Sequence, residues 1–308
     1  MSTKTIDYLA REGDVVELTS DLSAEGLAAG SRGVVVEAYT EPSEAYDVAF
    51  EDENGEFLAL ADSLKAAQIR NVSRPILERG IELLQKGMIP AAEREVRLAA
   101  RYNPRYLHEL NNLILNFDAL KKWAHAVDWL QMLLRVAPDF QIARDNLAVA
   151  YEKWALEKTR ASDLMNALDL LFAALGVRPS PEVAERVRQD ISAVYTEIGT
   201  RAYNGVLPGR EMADGDEERF DYMLFCMKVA NSFWTTDTTI SNLSLAYAHL
   251  GLYYLDKSDF ESSIHNFEMM DQTGVQRPEF LNEYGVALGK CGQLEDARNV
   301  FERALELL

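Results

Sequence analysis

Two periodicities divide the chain. Over residues 13–72 apolar and polar side chains alternate with a period of two, in β-branched and aromatic runs: Asp14-Val15-Val16-Glu17-Leu18, Gly33-Val34-Val35-Val36-Glu37-Ala38-Tyr39 and Ala45-Tyr46-Asp47-Val48-Ala49-Phe50. Two shorter runs follow, Glu56-Phe57-Leu58-Ala59-Leu60 and Ala67-Gln68-Ile69-Arg70-Asn71-Val72. Alternation of this kind puts one set of side chains on an inner face and predicts five short strands. Gly30-Ser31-Arg32-Gly33, Glu41-Pro42-Ser43 and Asp52-Glu53-Asn54-Gly55 supply the turns, the last through the Asn-Gly pair that suits a tight hairpin. Five strands in about sixty residues fit a small closed barrel.

After Ser73-Arg74-Pro75 the period becomes helical, and a self-similarity of about 34 residues emerges. Leu281, Tyr284, Gly285, Leu288, Gly292, Leu294, Ala297, Phe301 and Ala304 form one register; Ile76, Gly80, Leu83, Gly87, Ile89, Ala92, Val96, Ala99 and Pro104 form another. The spacing has a mechanism. Gly and Ala sit where two antiparallel helices cross closely, larger residues fill the next layer, and Pro stops the second helix. Between these ends the pattern drifts through Leu110, Leu113, Trp123, Ala126 and Leu130, then Leu147, Ala148, Tyr151, Ala167 and Leu171, then Tyr195, Gly199, Met223 and Ala230, then Tyr247, Gly251, Phe260 and Phe267. Staying in phase needs about seven extra residues near Lys153 to Ser162, and a longer insertion after Gly199. About six helical pairs then account for residues 73–308.

The first segment resembles the SH3-like barrels of bacterial proteins of uncharacterised function, on Asp14 to Leu18, the Gly30-x-x-Gly33-x-Val35-Val36 turn, Tyr46-x-Val48-x-Phe50 and Gln68-Ile69-Arg70. That resemblance implies a fold and no activity. The second resembles tetratricopeptide repeat (TPR) proteins, which implies a right-handed α-solenoid whose first helices line a groove for a peptide or a partner's surface. The expected architecture is mainly α, a TPR-like solenoid over 73–308 preceded by a five-stranded SH3-like β-barrel over 1–72.

Carried onto this chain, the groove positions of TPR families fall in the second repeat on His108, Asn111, Asn112, Leu115, Asp118 and Ala119, and in the third on Ile142, Asp145, Asn146, Val149, Glu152 and Lys153. The resemblance makes Asn112 and Asn146 ligand-backbone contacts, since one amide both donates and accepts; the alternative is that both are solvated helix residues. The carboxylate clamp by which some TPR proteins hold an acidic chain terminus is not matched: Leu77, Ile81 and Ile142 stand where it needs polar groups. In the second insertion Tyr203, Leu207, Arg210 and Met212 are candidate contact residues within a Gly- and Pro-containing stretch, because long insertions in compact arrays are often functional.

Charge narrows the partners. The 308 residues carry 31 Lys+Arg against 50 Asp+Glu, net −19. Residues 1–71 alone hold 15 acidic and 5 basic side chains. Related barrels of the KOW type bind nucleic acid, but that needs a basic face, and Glu41, Glu44, Asp47, Glu51, Asp52, Glu53 and Glu56 give the opposite field. Those acids serve either as a solvated rim that keeps strand edges from pairing, or as a dock for a basic protein surface. No run approaches the ~18 apolar residues of a membrane span, and the N-terminus lacks the apolar core of a signal peptide. Two cysteines, Cys226 and Cys291, give no disulfide framework, and the expected setting is cytoplasmic.

Enzyme signatures are missing. Gly26 to Gly30 lacks the Gly-Lys-Ser/Thr ending of a phosphate loop, and there is no dinucleotide fingerprint or nucleophile elbow. His108, His125, His249 and His265 do not pair at zinc-ligand spacing. Asp216-Glu217-Glu218 suits the first turn of a helix. The sequence therefore points to a non-catalytic adaptor or scaffold without cofactor or metal, binding a protein or peptide; the alternative is an assembly chaperone or regulatory subunit of an enzyme complex. The last repeat, ending Ala304-Leu305-Glu306-Leu307-Leu308, has no polar cap, from which a homodimer through it is expected.

Overall fold

The computed structural model describes residues 10–39, 44–52, 56–119, 122–205 and 216–308. Its contacts gather into two compact units, Met1–Ala150 and Tyr151–Leu308.

In the first unit five antiparallel strands, β1 (Val15–Leu18), β2 (Arg32–Tyr39), β3 (Ala45–Glu51), β4 (Phe57–Lys65) and β5 (Ile69–Asn71), form one sheet in the order β4-β3-β2-β1-β5. The closed barrel expected from the strand count is not formed. β5 has three residues, all engaged with β1 through Val16↔Asn71, Glu17↔Arg70 and Leu18↔Ile69, so β4 and β5 remain the two edges. β4 also runs five residues beyond the apolar run that predicts it. Its bend is at Ser63, whose φ of 57° is stabilised by an N–H donated to Asp47 Oδ1 at 2.7 Å. The inward set, Val16, Leu18, Val35, Tyr46, Val48, Phe50, Ala61 and Leu64, makes the sheet's core.

One buried carboxylate ties this sheet to the helices that follow. Asp14 is 1% exposed; its Oδ1 accepts from Tyr106 Oη and Asn103 Nδ2, both at 2.8 Å, and its Oδ2 from Asn71 Nδ2 at 2.7 Å and the Arg11 N–H at 3.0 Å. Ser73 Oγ extends the network, accepting the Val15 N–H at 3.1 Å and lying 2.9 Å from Tyr106 Oη. Gly13 lets the chain enter: its φ is +84°, and a Cβ there would lie 3.1 Å from Asn103 Oδ1.

The helices of this unit are α1 (Arg74–Gln85), α2 (Ile89–Tyr102), α3 (Arg105–Ala119), α4 (Trp123–Val136) and the first half of α5 (Gln141–Arg160). In the second unit follow α6 (Leu164–Gly176), α7 (Pro181–Tyr203), α8 (Asp216–Phe233), α9 (Asp237–Asp256), α10 (Phe260–Gln272), α11 (Pro278–Lys290) and α12 (Leu294–Glu306). Proline in the first turn starts α1, α2, α7 and α11, where a missing N–H costs no hydrogen bond. Consecutive helices pack as pairs, α1 on α2, α3 on α4, α7 on α8, α9 on α10 and α11 on α12. The close crossings fall on the expected small residues: a Cβ on Gly251 would meet the Phe267 ring at 2.9 Å, and one on Gly285 the Phe301 ring at 2.6 Å. The chain is thus mainly α, a TPR-like helical-repeat array preceded by a five-stranded sheet. The first insertion is largely absorbed as helix, since α5 reaches 20 residues and ends at Arg160.

Candidate partner-binding surfaces

In the first unit α3 and the start of α5 carry the expected groove residues, and two of them, Asn111 and Asn146, meet. His108 is exposed and rests edge-on against Phe140, ring centroids 4.7 Å apart. Asn111 is buried, and its Oδ1 accepts from Asn146 Nδ2 at 2.9 Å, so these two amides cross-link α3 and α5. Asn112, one position on, is exposed and lines a cavity of about 310 Å³ with Arg11, Asp14, Asn103, Arg105, Tyr106 and Glu109. Arg105 pairs there with Glu12 at 3.0 Å, and Arg74 with Glu109 at 2.6 Å. Leu115 and Ile142 stand 45% and 49% exposed, large apolar groups among polar ones; Asp145 accepts from Gln141 at 2.9 Å, and Val149 is half-buried. The side chains of Asp118 and Ala119, and the whole of Leu207, Arg210 and Met212, lie outside the described residues.

In the second unit Lys153 is half-buried on α5, and the neighbouring Glu152 receives both Nε and Nη2 of Arg186, at 2.5 and 2.7 Å. One helical turn on, Asp190 lines a pocket of about 210 Å³ whose walls include Ala155, Leu156, Leu171, Ala193 and Val194. Burial, followed by the negative charge of Glu152, raises this carboxyl to about 6. Arg186 lowers it, but its guanidinium is already committed to Glu152. Residue spacing gives no sign of this carboxyl pair, because Glu152 and Asp190 belong to different repeats.

Tyr203, the described member of the second insertion's candidates, packs at 4.7 Å on His249 and 6.1 Å on Phe220, at the end of α7. Phe220 stacks on His249 and meets Tyr253 edge-on, and His249 meets Phe280 in the same way. The cluster borders both ends of the insertion, and burial depresses the His249 imidazole below its ordinary value. Glu217, in the first turn of α8, accepts from Tyr254 Oη at 2.9 Å, consistent with the helix start read from the acidic run. Further on, Pro278, Asn282, Phe301, Ala304, Leu305 and Leu308 line a groove of about 670 Å³ between α11 and α12. Among the described residues no helix is long and apolar enough to cross a membrane.

Residues 12–71 match a family described as a domain of unknown function, DUF4926. No curated protein matches the chain. Among solved structures, a TPR repeats protein from Bacteroides fragilis is similar at 12% identity, over 77% of this chain and 99% of that one, with a TM-score of 0.37. BtubC from P. vanneervenii is similar at 13% identity, over 77% and 91%, with a TM-score of 0.26. MamA from Desulfovibrio magneticus is similar at 14% identity, over 65% and 94%, with a TM-score of 0.23.

Proposed function

We propose that the chain is a non-catalytic interaction scaffold whose helical repeats hold a segment of a protein partner. The observation that supports this reading most directly is the surface of α3 and α5 in the first unit. On these two helices Leu115 and Ile142 stand exposed, as do the polar groups His108 and Asn112, and an apolar anchor with a hydrogen-bonding rim is the mixture that recognises a peptide. Net charge of −19 favours a partner with a basic surface. Two free thiols, Cys226 and Cys291, suit a reducing, cytoplasmic setting.

Affinity capture from the native source with wild-type chain and with Leu115→Arg/Ile142→Arg tests this. A partner that the variant loses, while its helical circular dichroism is kept, supports the reading; an identical partner set overturns it. Loss of the wild-type partner on raising salt supports the basic-surface part. Contact by the second insertion is tested by deleting residues 204–213: unchanged fold and unchanged partners would remove it. A regulatory subunit or assembly chaperone is distinguished by stoichiometric co-purification with a catalytic subunit. Self-association would use the groove between α11 and α12, apolar in Phe301, Ala304, Leu305 and Leu308 and acidic in Glu279 and Glu283; sedimentation at two concentrations, monomeric at both, would exclude that.

A further inference from the structure

The outer face of the small sheet changes character from one edge to the other. At β1 and β5 it is polar and charge-paired: Glu17 lies across from Arg32 and Arg70 and pairs with both. Across β2, β3 and β4 it is apolar. The register sets Val34 beside Ala49 and Ala49 beside Leu60, one row over three strands. Val36 and Leu58 fall at register shifts of the β2–β3 and β3–β4 ladders and stand exposed next along their strands, and Phe57, across from Glu51, is exposed too. Val34, Val36, Leu58 and Leu60 are 38, 53, 56 and 46% exposed. Large apolar side chains scattered singly over a surface are ordinary, but four of them grouped on one face around Ala49 are not.

The surroundings specify what could cover the patch. Glu51 follows Ala49 by two on β3, and Asp62 follows Leu60 by two on β4, so alternation points both to this face. Both are exposed, and neither forms an ion pair among the described residues. Of the sheet's cations, Arg32 and Arg70 are engaged by Glu17, and Lys65 closes β4 three residues after Asp62. A second copy would bring the same acids to the contact, and an anionic bilayer would be repelled likewise. Three strands at about 4.8 Å spacing make a patch roughly 10 Å across, which matches the apolar stripe of a helix.

We propose that the outer face of β2–β3–β4 docks a basic amphipathic helix of a protein partner, its apolar stripe on Val34, Val36, Leu58 and Leu60 and its flanking Lys or Arg side chains against Glu51 and Asp62. This is independent of the repeat surface, and the two could be occupied together.

The probe is a fluorescein-labelled 18-residue peptide of Leu and Lys, Leu at i, i+3, i+4 and i+7, titrated by anisotropy into the full chain. Any polycation is drawn to a chain of charge −19, so the variants carry the decision. Leu58→Ser/Leu60→Ser, outward-facing and checked by an unchanged melting curve, should weaken binding on the order of tenfold. Glu51→Lys/Asp62→Lys should weaken it comparably and flatten its salt dependence, and this pair decides the matter if the first does not fold. Equal binding by a Leu/Glu peptide, or affinities within twofold of wild type in both variants, would overturn the proposal. So would a self-association, or a binding to phosphatidylserine vesicles, that the wild type shows and Leu58→Ser/Leu60→Ser abolishes.

Discussion

Replacing Tyr106 with phenylalanine keeps the ring and removes one oxygen from the junction between the sheet and the first helices. That oxygen donates at 2.8 Å to a carboxylate that is 1% exposed. Burial, with the Asp14 charge adding to it, holds the phenol far above its ordinary value, and it is a donor at any working pH. Asp14 keeps Asn103, Asn71 and the Arg11 N–H, while Ser73 keeps Val15 and Asn71 as partners. The net loss is one charge-assisted bond in a buried site, about 2 kcal/mol. Asp14→Ala is harsher, since it strands four donors at once, and about 4 kcal/mol is expected. With a urea m-value of roughly 2 kcal/mol/M, Tyr106→Phe should lower the unfolding midpoint by about 1 M. Hydrogen exchange adds the test of location. Amides of Val16 and Leu18 in β1 and of Leu110 and Ile114 in α3 should lose protection together, because the network joins the two elements. A change below ~0.5 kcal/mol, or loss of protection in β1 with α3 untouched, would refute the junction as described.

Three further outcomes follow from single sites. Gly251→Ala should cost about 2 kcal/mol in thermal or urea unfolding, because the new methyl meets the fully buried Phe267 ring; Gly289→Ala, with nothing within 4 Å, should be neutral or gain up to ~1 kcal/mol. Asp190 titrates at about 6 in the fold against 3.8 for a free side chain, so the native state prefers it protonated, and its unfavourable contribution grows as pH rises from about 4 to 6. Asp190→Asn should therefore stabilise by about 1–2 kcal/mol at pH 7, less than the full ~3 kcal/mol because the carboxyl is partly solvated, and by nothing below pH 4; a gain independent of pH would refute the assignment. Of the two thiols, exposed Cys291 should react promptly with a disulfide reagent, whereas Cys226, buried and pushed up to about 12, should react only on unfolding.

What could be read in advance was whatever local periodicity encodes. The crossing positions Gly251 and Gly285, the prolines that open α1, α2, α7 and α11, and the acidic first turn of α8 are all consequences of neighbours three or four residues apart. Barrel closure is not encoded there, because strand count says nothing of strand length, and a three-residue β5 has no ladder to spare for β4. The groove residues show the same boundary. Helical register places Asn111 and Asn112 side by side, yet one is buried against Asn146 and the other lines an open cavity, a difference made by α5 and not by α3. Asp14 reads as a polar residue before a strand; its partners Asn71, Asn103 and Tyr106 are 57, 89 and 92 residues away, beyond any local pattern.

The apolar face of the sheet did leave a trace in the sequence. Val34-Val35-Val36 and Phe57-Leu58-Ala59-Leu60 break strict alternation, and a strand apolar on both faces needs cover on both. The structure then divides the acidic excess of the first 71 residues into two kinds. Asp14 is satisfied inside the junction, Glu17 by two arginines, Asp47 by Tyr39 and the Ser63 N–H, Glu12 by Arg105, and Asp21 by the Ala29 N–H. Those acids shape the fold, and substituting them should register first as instability. Glu51 and Asp62, like Glu25, Glu37 and Glu56, are exposed and outside every ion pair described, and these two stand at either side of the uncovered row Val34–Ala49–Leu60. Charge that contributes nothing to the fold, placed beside apolar surface that the fold leaves wet, has its use between molecules. Reversing it should therefore alter binding while leaving the melting curve where it was.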